Sequence, residues 1–278
     1  MGDPHYRSYD GQSFDLFDHC SHVFTKDCVN GTFTVISITS DRCSGGRSPT
    51  CIEEAVVHVP ELNTTVILTG RPLQYSFVGE VPSASKLSVV ANNHITVSIF
   101  KLGVVVNFGL YYLSVNVPDS YYGKMCGLAG TYDGNRSNDY RLLNGTVVNE
   151  PNHDFELAWR VDLPNHGCVH MLPQPPPPCQ GTALQEAEAF CNVLQLPTGP
   201  FSACHGIISP EIPFKECVLD HCTCDGDVCA CSVVLNYAER CRAQGIGVGP
   251  IPNACSKLCK IPHVCLWYNY YDFALCRN

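Results

Sequence analysis

The sequence predicts an α+β protein, mainly β, in which an antiparallel β-sandwich is followed by a small disulfide-rich helical module. Three observations carry this prediction. Apolar and polar residues alternate with period two through much of residues 1–168, the spacing of half-buried strands. Beyond residue 180 the apolar spacing becomes that of helices. The 19 cysteines also divide unevenly, with six in residues 1–168 and thirteen in the remaining 110.

Taken in order, the strand candidates are "GTFTVISIT", "EAVVHV", "TTVILTG", "NHITVSIF", "GVVVNFG" and "YLSVNVP". Ile95, Val97 and Ile99 alternate with Thr96 and Ser98, and Leu113, Val115 and Val117 with Ser114 and Asn116. These six, in a region expected to hold seven or more short strands separated by Gly, Asn and Pro, predict the sandwich. Pro175 to Pro178 then form a stiff polyproline spacer. The predicted division is a β domain over 1–168, a linker over 169–180 and a helical module over 181–259. Thr182 and Gln185 make a capping-box pattern, and Leu184, Ala187, Cys191 and Leu194 follow helical spacing. Val234, Ala238 and Cys241 share a second helical face that Gly245 ends. Two short helices bury too little apolar surface to fold alone, so disulfides, each typically worth about 2–4 kcal/mol, supply much of the stability.

Composition sets the compartment. Such cysteine density belongs to secreted chains, and N-x-S/T acceptors at Asn30, Asn63, Asn135 and Asn144 agree with that. The formal net charge of −9, with no basic cluster, argues against nucleic-acid and anionic-membrane partners. The longest apolar run, "LGVVVNFGLYYL", is too short for a membrane span. No secretory leader is read, and the expectation is a mature or excised segment. An odd cysteine count leaves one thiol free, paired with another chain, or separated from its partner.

Two stretches carry candidate chemistry. "CGLAGTYDGNRSNDYRLLNG" crowds Asp133, Asn135, Asn138 and Asp139 into seven residues. Oxygen ligands at that density suit calcium, although flanking strands and the missing twelfth-position Glu exclude an EF-hand. A polar turn whose side chains cap their own backbone is the competing reading. "HCTCDGDVCACS" has metal-like Cys-x-Cys spacing, but in a secreted, cysteine-dense chain disulfides are the better reading. No G-x-S-x-G, H-E-x-x-H or P-loop pattern is present.

The stretch "GDPHYRSYDGQSFDLFDHCSHVFTKDC", with "CGLAGTYDGNRSNDY" and "FELAWRV" far downstream, resembles the von Willebrand factor type D domain. "GPFSACHGIISPEIPFKECVLDHC" and "CSVVLNYAERCRAQGI" resemble the eight-cysteine module that follows it in the zonadhesin, tectorin, IgG Fc-binding and mucin-like group. "CSKLCKIPHVCLWYNYYDFALC" looks like a truncated or degenerate trypsin-inhibitor-like segment over 260–278. The resemblance implies a calcium site formed by Asp10, Asp133, the backbone carbonyl of Asn135, and the side chains of Asn138 and Asp139. Thr131 stands where such chains usually have an asparagine. It also implies the pairs Cys20–Cys168, Cys28–Cys126 and Cys43–Cys51. A further bridge of the family is missing at both ends: Ala129 replaces one cysteine and none precedes Gly2, so the start is expected to be a workable domain edge. Relatives that polymerise make Cys229 or Cys231 inter-chain candidates, and the competing reading leaves Cys265 or Cys276 unpaired.

The function implied is a calcium-stabilised, glycosylated extracellular structural or adhesion module that is not an enzyme. Its partners are extracellular proteins or glycoproteins, copies of itself included. A rival implication is self-cleavage between Asp3 and Pro4. The Asp3 carboxylate attacks its own carbonyl carbon to form a cyclic anhydride, the C–N bond breaks, and His5 protonates the departing proline nitrogen. The anhydride could then acylate another protein. A luciferase-like enzyme is the remote third reading, with no pocket marked for it.

Overall fold

A computed structural model describes residues 5–40, 51–92, 94–109, 112–164, 166–168, 179–223, 227–251 and 255. They form two compact units, one up to Cys168 and one from Cys179. Asp3, Pro4, Cys43, Cys265 and Cys276 lie outside the described residues, as do 169–178 of the expected linker and the whole of 260–278.

The first unit opens with a short antiparallel pair, β1 (His5–Arg7) and β2 (Ser13–Asp15). The main strands follow: β3 (Ser21–Asp27), β4 (Thr34–Ser40), β5 (Cys51–Val59), β6 (Thr64–Gly70) and β7 (Leu73–Gly79). Next come β8 (Leu87–Ala91), β9 (Ile95–Ile99), β10 (Val104–Gly109), β11 (Tyr112–Asn116) and β12 (Met125–Cys126). A six-stranded sheet runs β12-β3-β4-β5-β6-β7 and a four-stranded one β11-β10-β9-β8, with every pair antiparallel. The alternating residues meet between them: Val35, Val57, Val66 and Leu68 from one sheet, and Ile95, Val97, Val106 and Phe108 from the other, all fully buried. Period two therefore places one side of each strand in a shared core, the arrangement of a sandwich.

Helix α1 (His153–Trp159) packs on β3. Asn152 caps it by accepting the Phe155 N–H at 3.0 Å, and Phe155 and Trp159 fill the core. Disulfides join Cys20 to Cys168 and Cys28 to Cys126. Cys51 is also disulfide-bonded.

The second unit holds three helices among the described residues, one more than the apolar spacing predicts: α2 (Thr182–Cys191), α3 (Glu211–Thr223) and α4 (Asp227–Ala243). Pro213 hides α3 in the sequence, yet it sits in the first turn, where an amide hydrogen has no helical partner to lose. The Thr182–Gln185 capping box does not form. Gly181, at φ +64°, is the N-cap with no side-chain hydrogen bond, so Thr182 already lies inside the helix. Disulfides Cys179–Cys222, Cys191–Cys217, Cys204–Cys241 and Cys231–Cys255 surround a core of Leu194, Phe201, Val234 and Tyr237. Cys231 is thus corrected from an inter-chain candidate to an internal partner: it is buried on α4, with its Cα 5.2 Å from that of Cys255. Cys229 lies on the same helix.

The β3–β4 turn is organised by one acid. Asp27 is buried and accepts the N–H groups of Val29 and Asn30, both at 3.0 Å, and the Thr32 hydroxyl at 2.8 Å. Burial alone would raise its pKa, but these hydrogen bonds outweigh it and hold the carboxyl below its ordinary value. A depressed carboxylate contributes stability above its unfolded pKa of about 3.9 and loses it as pH falls through the folded value. Asp27→Asn is therefore expected to cost about 1–3 kcal/mol at neutral pH by urea denaturation. The gap from wild type should close as pH falls below about 4.

Candidate metal centre

The polar loop after β12 is shaped by backbone constraints. Leu128 N–H and Ala129 N–H donate to the carbonyls of Val23 and Phe24, where the β3–β4 register shifts. This brings the chain so close to β3 that a Cβ on Gly127 would sit 2.7 Å from the Phe24 oxygen. Three residues on, Gly130 has φ +79°, and a Cβ there would lie 2.2 Å from Asp139 Oδ1. Only glycine admits the Asp139 carboxylate beneath the turn.

Asp139 is 1% exposed. Its Oδ2 accepts the Ser8 hydroxyl at 2.6 Å and its Oδ1 the Thr131 N–H at 3.2 Å. Asp10 reaches the loop from the N-terminal side and accepts the N–H groups of Asp133 and Gly134, both at 3.0 Å. Arg136 Nε donates to the Asp10 carbonyl at 2.8 Å. Asp133 accepts the Asn135 N–H at 2.9 Å and the Asn138 amide at 2.8 Å, while Asn138 Oδ1 accepts the Thr131 hydroxyl at 2.7 Å. Asn135 caps a short 3-10 turn over Arg136–Asn138 by accepting the Ser137 N–H at 3.1 Å. Side chains of the kind that cap a polar turn and side chains that could hold a cation are therefore the same residues here.

All six sequence-nominated residues, Asp10, Thr131, Asp133, Asn135, Asn138 and Asp139, come together in this hydrogen-bonded region. Sequence reasoning missed Ser8 and Arg136, which join the strand-entry segment to the loop across more than a hundred residues and leave no local signal. Tyr9, Tyr122 and Tyr132 flank it, with ring centroids 5.3 Å (Tyr9–Tyr132) and 5.6 Å (Tyr122–Tyr132) apart, and the Tyr122 hydroxyl donates to the Asp133 carbonyl.

The electrostatics are those of crowded like charges. Burial pushes the Asp139 carboxyl up, Ser8 and the Thr131 N–H pull it back, and the charges of Asp10 and Asp133 push it up further. Burial also acts to raise Asp133, but hydrogen bonds from Asn138 and Asn135 hold it below the ordinary range. The donor set fits a hard, oxygen-seeking divalent cation: three carboxylates and neutral oxygens of Asn and Thr, with no nitrogen or sulfur ligand among the nominated groups.

The other candidates lie apart in the sequence. His5 is buried, and its Nδ1 is 2.7 Å from Asp15 Oδ1 across the β1–β2 pair. The acceptor asparagines Asn30, Asn63, Asn135 and Asn144 are all solvent-exposed. Of the Cys-x-Cys cluster, Cys222 and Cys231 are engaged in disulfides, which removes a zinc site built on all four thiols.

Comparison with known proteins agrees with this architecture. Residues 1–146 match the von Willebrand factor type D domain, and residues 190–260 match the C8 domain. Human IgGFc-binding protein is 32% identical over 279 residues, covering 91% of this chain and 5% of that protein. Pig zonadhesin is 27% identical, covering 88% of the chain and 10% of that protein. Bovine von Willebrand factor is 27% identical, covering 94% of the chain and 28% of that protein. The chain thus spans a small part of the length of these relatives. With more than half of its residues matched and its β-sandwich and helical units in the same order as the two matches, the chain belongs to the von Willebrand factor type D domain family.

Proposed function

We propose that this chain is a calcium-stabilised, glycosylated module of an extracellular structural or adhesion protein, working by binding and assembly rather than by catalysis. The approach of Asp10 to the loop that carries Asp133 and Asp139, near enough for their charges to act on one another, is the observation that carries the reading; their oxygens, not all within 4.8 Å of one another, would draw in around the ion. Their mutual repulsion is relieved by a divalent cation, and the oxygen-only donor set suits calcium. Six disulfides among the described residues support an oxidising, secretory setting. No helix among the described residues is long and apolar enough to cross a membrane. Exposure of the four acceptor asparagines supports glycosylation, and relatives named mucin, zonadhesin and IgGFc-binding protein support an extracellular binding role. Its partners would be other extracellular proteins or glycoproteins, further copies of this chain among them.

A second reading keeps self-cleavage at Asp3–Pro4. It is favoured by one contact: Asp15 holds the buried imidazole of His5, the residue directly after Pro4, in a fixed orientation. His5 would then be positioned to protonate the leaving nitrogen.

Calcium is tested by calorimetry with and without a chelator. A site saturated at a hundred times its dissociation constant adds about 2.7 kcal/mol, so chelation is expected to lower the melting temperature by about 5–10 °C. An unchanged melting temperature would sink the reading. The sign of its pH dependence follows from Asp139. A raised carboxyl contributes stability fully below its unfolded pKa of about 3.9, and that contribution is lost as pH rises through the folded value. In chelated protein this loss is uncompensated, so the calcium-dependent increment should grow as pH rises from about 4 toward neutrality. Self-cleavage is tested by intact mass after incubation at about pH 5–6, near the ordinary histidine pKa. Loss of Met1 to Asp3 that slows in Asp15→Asn is expected, and a mass that never changes removes this reading.

A further inference from the structure

A second cluster of ligand-type residues lies outside the polar loop. Asp18, just before β3, is 2% exposed; His22 on β3 is fully buried; Glu156 on α1 is 8% exposed. One ligand atom from each lies within 4.8 Å of the others. Three elements hold them there. The Thr39 hydroxyl on β4 donates to the Asp18 carbonyl at 2.8 Å. His22 forms a β-bridge with Arg160, just past α1, and the Val161 N–H donates to the Ser21 carbonyl at 2.8 Å. The Asn152 cap fixes the start of α1 and so the direction of Glu156.

Within this frame the polar atoms are poorly satisfied. His22 Nε2 approaches Asp18 Oδ2 to 2.9 Å, yet neither ring nitrogen of His22, nor that Asp18 oxygen, has a properly directed hydrogen-bond partner. Ser37 Oγ, on the residue directly opposite His22 across β3–β4, is buried and likewise unpartnered. Two carboxylates face one imidazole, so with both ionised the group is one positive charge short even when His22 is protonated, and it balances only if Glu156 keeps its proton or a cation is added. Burying such a set unpaired is costly. Burial, the charge of Asp18 and a side-chain hydrogen bond with Asp18 push Glu156 up, with His22 and His153 acting in the opposite sense.

We propose that Asp18, His22 and Glu156 form a buried site for one transition-metal ion of the zinc class, which fastens α1 to the start of β3. One imidazole nitrogen and two carboxylate oxygens form a borderline donor set that zinc accepts and that calcium and magnesium do not favour. Ligand atoms sharing a tetrahedral zinc lie about 3.3 Å apart, so the observed spread closes with small side-chain rotations. Ser37 Oγ or a water can take the fourth position. His153 is half-exposed, with Nδ1 3.6 Å from Glu156 Oε2, and marks the solvent side from which an ion enters. The site stands independently of calcium in the polar loop and shares no residue with it.

The test uses the full chain, chelator-stripped and then saturated with Ca2+, titrated with Zn2+ by calorimetry and with Co2+ by visible spectroscopy. One equivalent is expected, with Co2+ bands of a low-coordinate nitrogen–oxygen site and no thiolate charge transfer. Glu156→Gln and His22→Gln should each weaken that equivalent about tenfold or more. Glu156→Gln decides the matter if the buried His22 variant does not fold, because Asn152, Phe155 and Trp159 still hold α1. Absence of binding, equal binding in Glu156→Gln, or thiolate bands would each overturn the proposal.

Discussion

A carboxylate taken out of water must be compensated, and much of the first unit is arranged around that requirement. Asp27 meets it locally: its own turn folds back and supplies backbone N–H groups. Asp139 meets it at long range, through Ser8 on one side and the Thr131 N–H on the other. Asp18 and Glu156 lie side by side, with an imidazole between the strand and the helix. The three cases form a series from self-sufficient turn, to chain-closing contact, to a cluster balanced only by a retained proton or an added cation.

The second case depends on the sheet beneath it. The register shift in β3 frees the Val23 and Phe24 carbonyls for Leu128 and Ala129. The Cys28–Cys126 bond holds the strand that leads into the loop. Gly127 permits the close backbone approach, and Gly130 leaves space for the Asp139 carboxylate. Any other residue at Gly130 would push that carboxylate aside and release Ser8 and Thr131 together. Geometry at the loop is therefore inherited from packing in the sandwich rather than created by the polar residues themselves.

This division explains what could be read from the sequence. Strands β9, β10 and β11 were legible because one face is buried and the other is wet, which writes period two directly into Ile95, Val97 and Ile99. Strand β7 carries almost no such signal, since Tyr75 and Val78 are exposed at a sheet edge. In β3, buried Ser21, His22 and Thr25 interrupt the apolar pattern. The acids and amides of the loop were legible as a cluster, being neighbours in sequence. Ser8, and the grouping of Asp18 and His22 with Glu156, were not, because tertiary folding alone brings them together. Pro213 hid α3 because its tolerance depends on position within a helix rather than on residue type.

The bond between Cys20 and Cys168 spans 148 residues. Tension entering upstream of Cys20 and leaving downstream of Cys168 passes through two sulfur atoms, and β3 to β12 sit in a loop that carries no load. β1, β2 and Asp10 lie outside that loop and are held to the rest by Ser8 on Asp139, by Asp10 on Asp133 and Gly134, by the Tyr9 N–H on the Ala129 carbonyl, and by Tyr6 and Phe14, which pack into the core against Phe24, Tyr140 and Phe155. A pull would bypass β3 to β12 and act first on these contacts. The polar loop and the packing of Tyr6 and Phe14 are then what yields to force, and the ion proposed for the loop would raise the pull required.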